Sequence, residues 1–232
     1  MSEQFETFLT MARQMQFQDR LDPVAFLAEL PTRQSIIAAM TRWDLIYHNI
    51  SHAVEIGHIE FIESGSNWSF DDMLFHYLFS FYHDVVYIQG HKDNEEKSAD
   101  RFVSDSYTLF SPQTRADYQP VIRDVEKAIR LSANHFQESA FSVNDRIARA
   151  LDADLAGLAG APSLFNLNSM KLRAEHAKLS DEAWREGRKN WLASVSGKRI
   201  FRTDVNGREA RAQENIKNDL ALMESGHGTI LT

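Results

Sequence analysis

The chain of 232 residues contains no cysteine. This absence excludes disulfide bonds, a cysteine nucleophile and thiolate metal ligands. Any bound metal ion must therefore be held by histidine, aspartate and glutamate side chains. The absence also agrees with a cytoplasmic location, where disulfide bonds are rare.

Long apolar runs are missing as well. No stretch approaches the ~20 apolar residues that span a bilayer, and the first residues, MSEQFETFLTMARQ, lack the apolar core of a signal peptide. We therefore expect a soluble protein that has no membrane partner. The 33 acidic residues outnumber the 25 basic ones and give a net charge of -8, which argues against a nucleic-acid partner.

Strand-like alternation is also hard to find, whereas nearly every segment has helical periodicity. Hydrophobic residues make up 43% of the chain, enough for a substantial core. We predict an all-α fold, a bundle of about eight to ten helices, in a single domain over residues 1–232. Its metal-site core would span residues 40–160, and C-terminal helices at 163–225 would pack on that core.

Several segments begin with the residues that start helices. These are a capping Asn, Ser or Asp, or a proline in the first turn, and they occur at Asn49, Ser69, Asp93 and Ser111-Pro112. Asp72 stands three residues after Ser69, as in a capping box. The helix that starts at Ser111 is predicted to reach about Asn134, and further helices are predicted at 2–18 and 143–158.

Two short strings carry the residues that are most typical of a hydrolytic metal site. They are YHNISH at 47–52 and the adjacent pair His83-Asp84. His48 and His52 would share a helix face if their helix begins by His48. If it begins only after Asn49, His48 would lie on the preceding loop, above His52.

The pair His83-Asp84 lies in an otherwise apolar run, FHYLFSFYHDVVY. Burying such a pair is costly unless it is hydrogen-bonded or bound to a metal. A hydrogen-bonded core dyad is the simpler explanation of this pair alone. The ordered combination of a His-x3-His step, a His-Asp pair and a later carboxylate favours a metal site instead.

This order of residues resembles the HD superfamily of metal-dependent phosphohydrolases. Within it, the chain is similar to a bacterial group of predicted HD phosphohydrolases with YHNxxH, HDxVY, DNEExSA and DxDLxxLG strings. Here these stand as YHNISH (47–52), YHDVVY (82–87), DNEEKSA (93–99) and DADLAGLAG (152–160). The likeness covers residues 40–220. It departs at Tyr82, where Phe is commoner, and at Leu45-Ile46, where a basic residue and an aromatic are usual.

The resemblance implies a set of metal ligands: His52, His83, Asp84 and Asp154, with Asp152 as the alternative to Asp154. Two imidazoles and two carboxylates leave coordination positions open for water and a phosphate oxygen. Such a set suits Mn, Fe, Co, Ni or Mg, and also Zn.

The resemblance also implies roles around the ion. His48 would be the general acid for the leaving oxygen, and Asp84 would accept the proton of the attacking water. The sequence alone favours a cap and a solvated acidic first turn of a helix for Asn94 and Glu95, whereas the resemblance implies that they line the site as partners of a ligand histidine. His135 would contact phosphate, bind a second ion or cap its helix.

Other candidates are weaker. Some basic residues are candidates for contact with a bound anion, although amphipathic helices carry such residues routinely. They are Lys171, Arg173, Arg185, Arg188 and Arg199. The histidines without an assigned role are His58, His76, His91, His176 and His227. His76 is the first of them to revisit, because it precedes His83 by seven residues on nearly the same helix face.

The function that we expect is metal-dependent hydrolysis of a small phosphorylated substrate, a nucleotide or a related ester. One alternative is a cyclic-nucleotide phosphodiesterase, because HNxxHA at 48–53 is similar to the signature of those enzymes. A second alternative, from another class, is a non-catalytic sensor that binds a metal or nucleotide. The apolar face of the first helix would pack on the domain or on a second subunit of a homo-oligomer, and it comprises Phe5, Phe8, Leu9 and Ala12.

Overall fold

The structure is a computed structural model that describes residues 3–14, 23–64 and 68–225. Within these ranges the regular structure is helical throughout, with twelve α-helices, two short 3-10 helices and no strand. The predicted all-α class is therefore confirmed. The twelve helices exceed the predicted range by two, partly because one predicted helix is divided.

The α-helices are α1 (Glu3–Gln14), α2 (Pro23–Glu29), α3 (Arg33–Met40), α4 (Ile50–Ser64), α5 (Phe70–Tyr82), α6 (Asn94–Leu109), α7 (Pro112–Asp117), α8 (Gln119–Ser132), α9 (Asp145–Asp154), α10 (Pro162–Glu175), α11 (Asp181–Val195) and α12 (Arg208–Glu224). The 3-10 helices are Glu138–Ala140 and Ala156–Ala159. Residues 15–18 of the first predicted helix, and His227, lie outside the described residues.

The helix predicted from Ser111 to Asn134 is in fact two helices. Ser111 caps α7 as predicted, because its side chain accepts the N–H of Thr114. However, α7 ends at Asp117 and α8 begins at Gln119. Pro120 explains the break, since it has no N–H to donate and fits only the first turn of a helix. Similarly, the helix predicted at 143–158 stops at Asp154, and a 3-10 turn follows.

Two of the predicted caps differ in outcome. The capping box of α5 is confirmed, because the Asp72 N–H donates to Ser69 Oγ and the Ser69 N–H donates to Asp72 Oδ2. Asp93 does occupy the residue before α6, but its side chain makes no capping hydrogen bond. It forms an ion pair with Lys97 at 2.9 Å instead, so the predicted capping role of Asp93 is wrong.

The larger of two hydrophobic cores surrounds α5. Every residue of α5 except Asp71 and Asp72 is buried, and α4, α8 and α9 pack on it. Phe5 and Leu9 of α1 belong to this core, so these two residues pack on the same chain. Although α5 is largely apolar, no helix among the described residues is long and apolar enough to cross a bilayer.

The second core is formed by the C-terminal part of the chain. It contains buried side chains of α11, α12 and the segments before them, namely Ala159, Leu192, Val195, Ile200, Phe201, Ala212, Ile216 and Met223. Leu155 and Leu158, which directly follow α9, pack against it. The end of α9 therefore lies where the two cores meet, and this position brings residues from both into one cavity.

Candidate metal centre

Three side chains from different helices converge at the C-terminal end of α9. His52 lies in the first turn of α4, His83 directly follows α5, and Asp154 is the last residue of α9. One potential ligand atom of each lies within 4.8 Å of the others. Asp154 Oδ1 is 3.4 Å from His52 Nε2 and 3.5 Å from His83 Nε2. The packing of α4, α5 and α9 thus unites residues far apart in sequence.

The tautomer of His83 suits a metal ligand. Its Nδ1 lies 2.9 Å from the carbonyl oxygen of Ser80, and a carbonyl can only accept a hydrogen bond. In the neutral ring Nδ1 therefore carries the hydrogen, which leaves the lone pair on Nε2. This Nε2 is buried and has no hydrogen-bond partner of acceptable geometry among the described residues. An unmatched buried nitrogen that faces carboxylates fits a divalent cation.

Asp84 lies beside this group. Its Oδ2 is 3.0 Å from His83 Nε2, and its side chain lines the adjoining cavity. It is not part of the mutually close group of three. The structure thus places three of the four predicted ligands together and the fourth next to one of them.

The charge of each group in this cluster shifts the pKa values of the others. Burial lowers the pKa of His83, but the carboxylates of Asp84 and Asp154 outweigh burial and raise it to about 10. Burial opposes ionisation of Asp84, yet the charge on His83 lowers its pKa to about 2. The pKa of Asp154 is held well below its usual range, against burial, by His83 and by hydrogen bonds from His135 and His52. A proton on His83 and a divalent ion therefore compete for the same place.

Asp152, the alternative ligand, has a different role. It is completely buried, and its Oδ1 accepts the backbone N–H of Arg202 at 2.8 Å. Its Oδ2 accepts the N–H and the hydroxyl of Thr203, both at 2.8 Å, and Arg208 Nη2 at 3.2 Å. The C-terminal segment thus occupies both oxygens. Asp154, not Asp152, is brought to the two histidines.

His135 reaches the cluster from the segment after α8. Its Nε2 is 2.9 Å from Asp154 Oδ2, and the ring lines the cavity. The buried Nδ1 has no hydrogen-bond partner among the described residues. The ring is therefore placed to orient Asp154, and its predicted contact with phosphate or with a second ion stays a prediction.

His48 lies on the loop before α4, which is the second of the two placements considered above. Asn49 Oδ1 accepts the N–H of Ser51 at 2.9 Å, so the helix begins at Ile50. His48 Nδ1 is 2.5 Å from Oε1 of Glu175, the last residue of α10. Glu175 Oε2 accepts the backbone N–H groups of residues 46–48 at 2.9–3.0 Å. One buried carboxylate therefore fixes the loop and the ring of His48 together.

This arrangement controls the protonation of His48. Burial lowers the pKa of His48, but the hydrogen bond with Glu175 and the charge of Asp84 outweigh burial and raise it. Burial raises the pKa of Glu175, but His48 lowers it overall. Tyr87 stacks on the imidazole, with ring centroids 4.0 Å apart and an interplanar angle of 17°. The result is a positioned histidine on the cavity wall, with a pKa raised above its ordinary value.

Sequence reasoning did not assign Glu175 a role. The residue is separated from His48 by 127 positions, and an isolated glutamate near a helix end has no distinguishing pattern. The only signal was that its segment, KLRAEHAKLS at 171–180, falls within residues 40–220, the range of the resemblance described above. That likeness marked the segment but did not show which of its residues faces the site.

The DNEEKSA string has mainly a supporting role. Asn94 Oδ1 accepts the N–H of Ile88, and its Nδ2 donates to the Ile88 carbonyl, each at 3.0 Å. Ser98 Oγ accepts the N–H of Val86 at 3.0 Å. These bonds hold the loop that carries Tyr87. The predicted contact between Asn94 and a ligand histidine is not among them, and Asn94 acts on the loop instead.

Glu95, by contrast, lines the cavity. Its side chain is half-buried, and its pKa is raised first by burial and then by the carboxylates of Asp84 and Asp154. A glutamate in this position is a ready proton acceptor or hydrogen-bond partner for a bound molecule. Its predicted place at the site agrees with this geometry.

The cavity next to the cluster has a volume of about 500 Å³, within the range of pockets for small molecules. One part of the wall is formed by charged and titratable side chains, namely His48, His52, Asp84, Glu95, His135 and Asp154. Another part is formed by side chains of α10 and α11, which include Phe165, Asn168, Leu172, Trp184, Arg188 and Trp191. A charged wall and a wall rich in aromatic and apolar side chains therefore line one space.

Comparisons of the chain with protein-family models, with curated proteins and with solved structures found no match. A functional assignment therefore depends on the geometry of the cluster and its cavity, together with the likeness of the short strings described above.

Proposed function

We propose that the protein is a metal-dependent phosphohydrolase of the HD superfamily, which hydrolyses a phosphate ester or anhydride of a small molecule such as a nucleotide. The observation that carries this proposal is the convergence of His52, His83 and Asp154, two of which, His52 and Asp154, also line the cavity. The buried Nε2 of His83 supports it, because this atom has no hydrogen-bond partner of acceptable geometry among the described residues and a divalent ion would satisfy it in place of a proton.

His52, His83 and Asp154 would hold the ion, with Asp84 as the fourth ligand. The mixed nitrogen and oxygen donors suit Mn, Fe, Co, Ni, Mg or Zn. When bound, the ion supplies a Lewis acid that lowers the pKa of water and polarises the phosphoryl group.

The side chains around the ion would move the protons. Asp84 orients the attacking water and accepts its proton as the new P–O bond forms. His48 donates a proton to the leaving oxygen as the old P–O bond breaks, so that phosphate and an alcohol are released. Glu175 prepares His48 for this step, because its hydrogen bond raises the pKa of the ring and holds the ring on a fixed loop. Proton exchange with water then restores both groups.

The pair of His48 and Glu175 favours an enzyme over a sensor. A binding module needs no imidazole of raised pKa beside its metal ligands, because a proton on such a ring would weaken the binding of a cation. In a hydrolase the same ring has a use as a general acid. The cyclic-nucleotide phosphodiesterase remains the second candidate, supported by HNxxHA at 48–53, whose first histidine is this ring.

One set of measurements tests the proposal. The purified protein is loaded with each metal, its metal content is measured by elemental analysis, and nucleoside phosphates, cyclic nucleotides and sugar phosphates are screened for hydrolysis. We expect stoichiometric metal and phosphate release that a chelator abolishes. Failure to retain any metal after reconstitution would contradict both enzyme candidates. Metal without turnover of any phosphate would favour the sensor.

A further inference from the structure

The aromatic and apolar wall of the cavity has no role in the chemistry described above, although it forms a large share of the lining. We infer that it is a subsite for a flat aromatic ring of the substrate, so that the protein acts on phosphates whose organic group carries such a ring. We call it the ring subsite and define it by Phe165, Leu172, Trp184, Gly187 and Trp191. The inference rests on the proposed function for the position of the phosphate.

On the face of α11 that lines the cavity, two tryptophans flank a glycine. Trp184, Gly187 and Trp191 all line the cavity. Residues three and four apart lie on the same face of a helix. The two tryptophans therefore stand on either side of a position that has no side chain. Two large aromatic walls and a bare floor suit a flat ring better than a branched or spherical group.

Gly187 has no other evident purpose. It lies inside α11, where glycine costs about 1 kcal/mol relative to alanine. Its φ is not positive, unlike that of Gly90, Gly197 and Gly207. A Cβ built on Gly187 meets no heavy atom within 4 Å, so close packing does not require a glycine either. What the missing side chain does provide is room on the wall of the cavity.

The charges in this part of the wall agree with a neutral ring. Arg188 lines the cavity, but its guanidinium is paired with buried Asp219 at 3.1 Å and donates to Ser169 Oγ at 2.9 Å. The guanidinium also lies 5.0 Å from the Trp191 ring centre. Because Asp219 balances its charge, Arg188 is poorly suited to hold a phosphate here. The phosphate is then drawn to the metal ligands, and an uncharged group is left for the ring subsite.

The test uses phosphonates, which resist hydrolysis, so that binding is measured apart from activity. Calorimetry with the metal-loaded protein compares 1-naphthylmethylphosphonate with ethylphosphonate. We expect the aromatic compound to bind at least about tenfold more tightly, as its ring is buried between indoles. In Gly187→Leu this preference should fall below about twofold, while the affinity for ethylphosphonate is unchanged.

Matched variants control for effects on the helix. Glu186→Leu adds the same side chain one position earlier, about 100° away around α11, and should keep the preference. Gly187→Ala adds only a methyl group and should lower the preference for the aromatic phosphonate partly. This variant keeps the test possible if Gly187→Leu does not fold. Equal binding of the two phosphonates by the wild-type protein, or an undiminished preference in both Gly187 variants, would overturn the inference.

A nucleoside 5′-phosphonate distinguishes the sources of the ring. If its affinity falls with that of the naphthyl compound in Gly187→Leu, the ring can be a nucleobase. If only the naphthyl compound is affected, the ring is attached close to the phosphate. Both results support the inference. A ring preference without hydrolysis of any phosphate would refute the proposed function but support the ring subsite. Hydrolysis without a ring preference would support the proposed function but refute the ring subsite.

Discussion

His76 and His83 lie two helical turns apart, His76 within α5 and His83 directly after it, and both are 1% exposed. Their pKa values nevertheless move in opposite directions. Burial lowers the pKa of His76 to about 4, and its Nε2 is 3.0 Å from the Ile56 carbonyl. The carboxylates of Asp84 and Asp154 overcome burial at His83 and raise its pKa to about 10. Equal burial thus goes with opposite pKa shifts, and the neighbouring side chains decide the direction.

Asp152 and Asp154 repeat this contrast on α9. Arginine and threonine groups of the C-terminal segment surround Asp152, which makes it part of the fold. Asp154 faces histidines, whose nitrogens a metal ion can share. In each pair, one member is hydrogen-bonded to groups outside the metal-ligand cluster, and we interpret it as structural. The other member lies among further potential ligand atoms and is part of the candidate metal site.

The largest expected effect separates the two histidines. His83→Gln should weaken metal binding by about a thousandfold, because one strong nitrogen ligand is lost. His76→Gln, a matched change of another buried histidine, should leave metal affinity unchanged. Competition with a chelator of known affinity measures both constants. Equal losses in the two variants would show that His83 is not a ligand.

The second prediction separates the two aspartates. Asp152→Asn should lower the free energy of unfolding by about 3 kcal/mol, because buried Arg202 and Arg208 lose their counter-charge. Asp154→Asn should remove the metal and the activity with much less effect on the metal-free fold. Urea denaturation of the metal-free proteins gives the comparison. If Asp154→Asn proved the more destabilising of the two, Asp154 would be structural.

A third prediction concerns the pair formed by Glu175 and His48. Glu175→Gln should lower kcat by between about 10- and 100-fold, because the charged acid form of His48 loses its support. Metal content should stay the same, since Glu175 is outside the ligand group. Glu182→Gln, an exposed change on α11, is the control. Unchanged kcat in Glu175→Gln, or equally reduced kcat in the control, would remove the general-acid role from this pair.

The smallest effect is the pH dependence due to His76. Its folded-state pKa lies below the ordinary value near 6.5, so the unfolded chain binds more protons between the two values. Stability is therefore highest above pH 6.5 and falls as the pH falls. At about pH 5.5 the loss should be about 1 kcal/mol. The contribution of His76 is obtained from the difference in unfolding free energy between the wild-type protein and His76→Gln, measured as a function of pH. A difference that is independent of pH would contradict the lowered pKa of His76.

Local patterns predicted much of this molecule. Helical periodicity gave the all-α class, and the caps at Ser69 and Ser111 begin α5 and α7 where expected. The absence of an N–H group in Pro120 indicates the break between α7 and α8, although we had predicted one continuous helix there. The ligand strings are also local, because the residues of each lie close together in the chain.

The remainder depends on contacts between distant segments. Two aspartates two residues apart on α9 point in nearly opposite directions, and only the packing of the C-terminal segment decides which one faces the histidines. Glu175 is harder still, because its partners lie on a loop 127–129 residues earlier. No periodicity links a carboxylate at the end of one helix to the backbone before another.

Anomalous diffraction from a crystal grown with Mn²⁺ tests the central claim most directly. We predict a strong anomalous peak between Nε2 of His52, Nε2 of His83 and Oδ1 of Asp154, where Oδ1 already lies 3.4 Å and 3.5 Å from the two nitrogens. A second peak beside His135 would make the site dinuclear and leave the claim intact. The absence of a peak among these three residues in a crystal grown at saturating Mn²⁺ would contradict it.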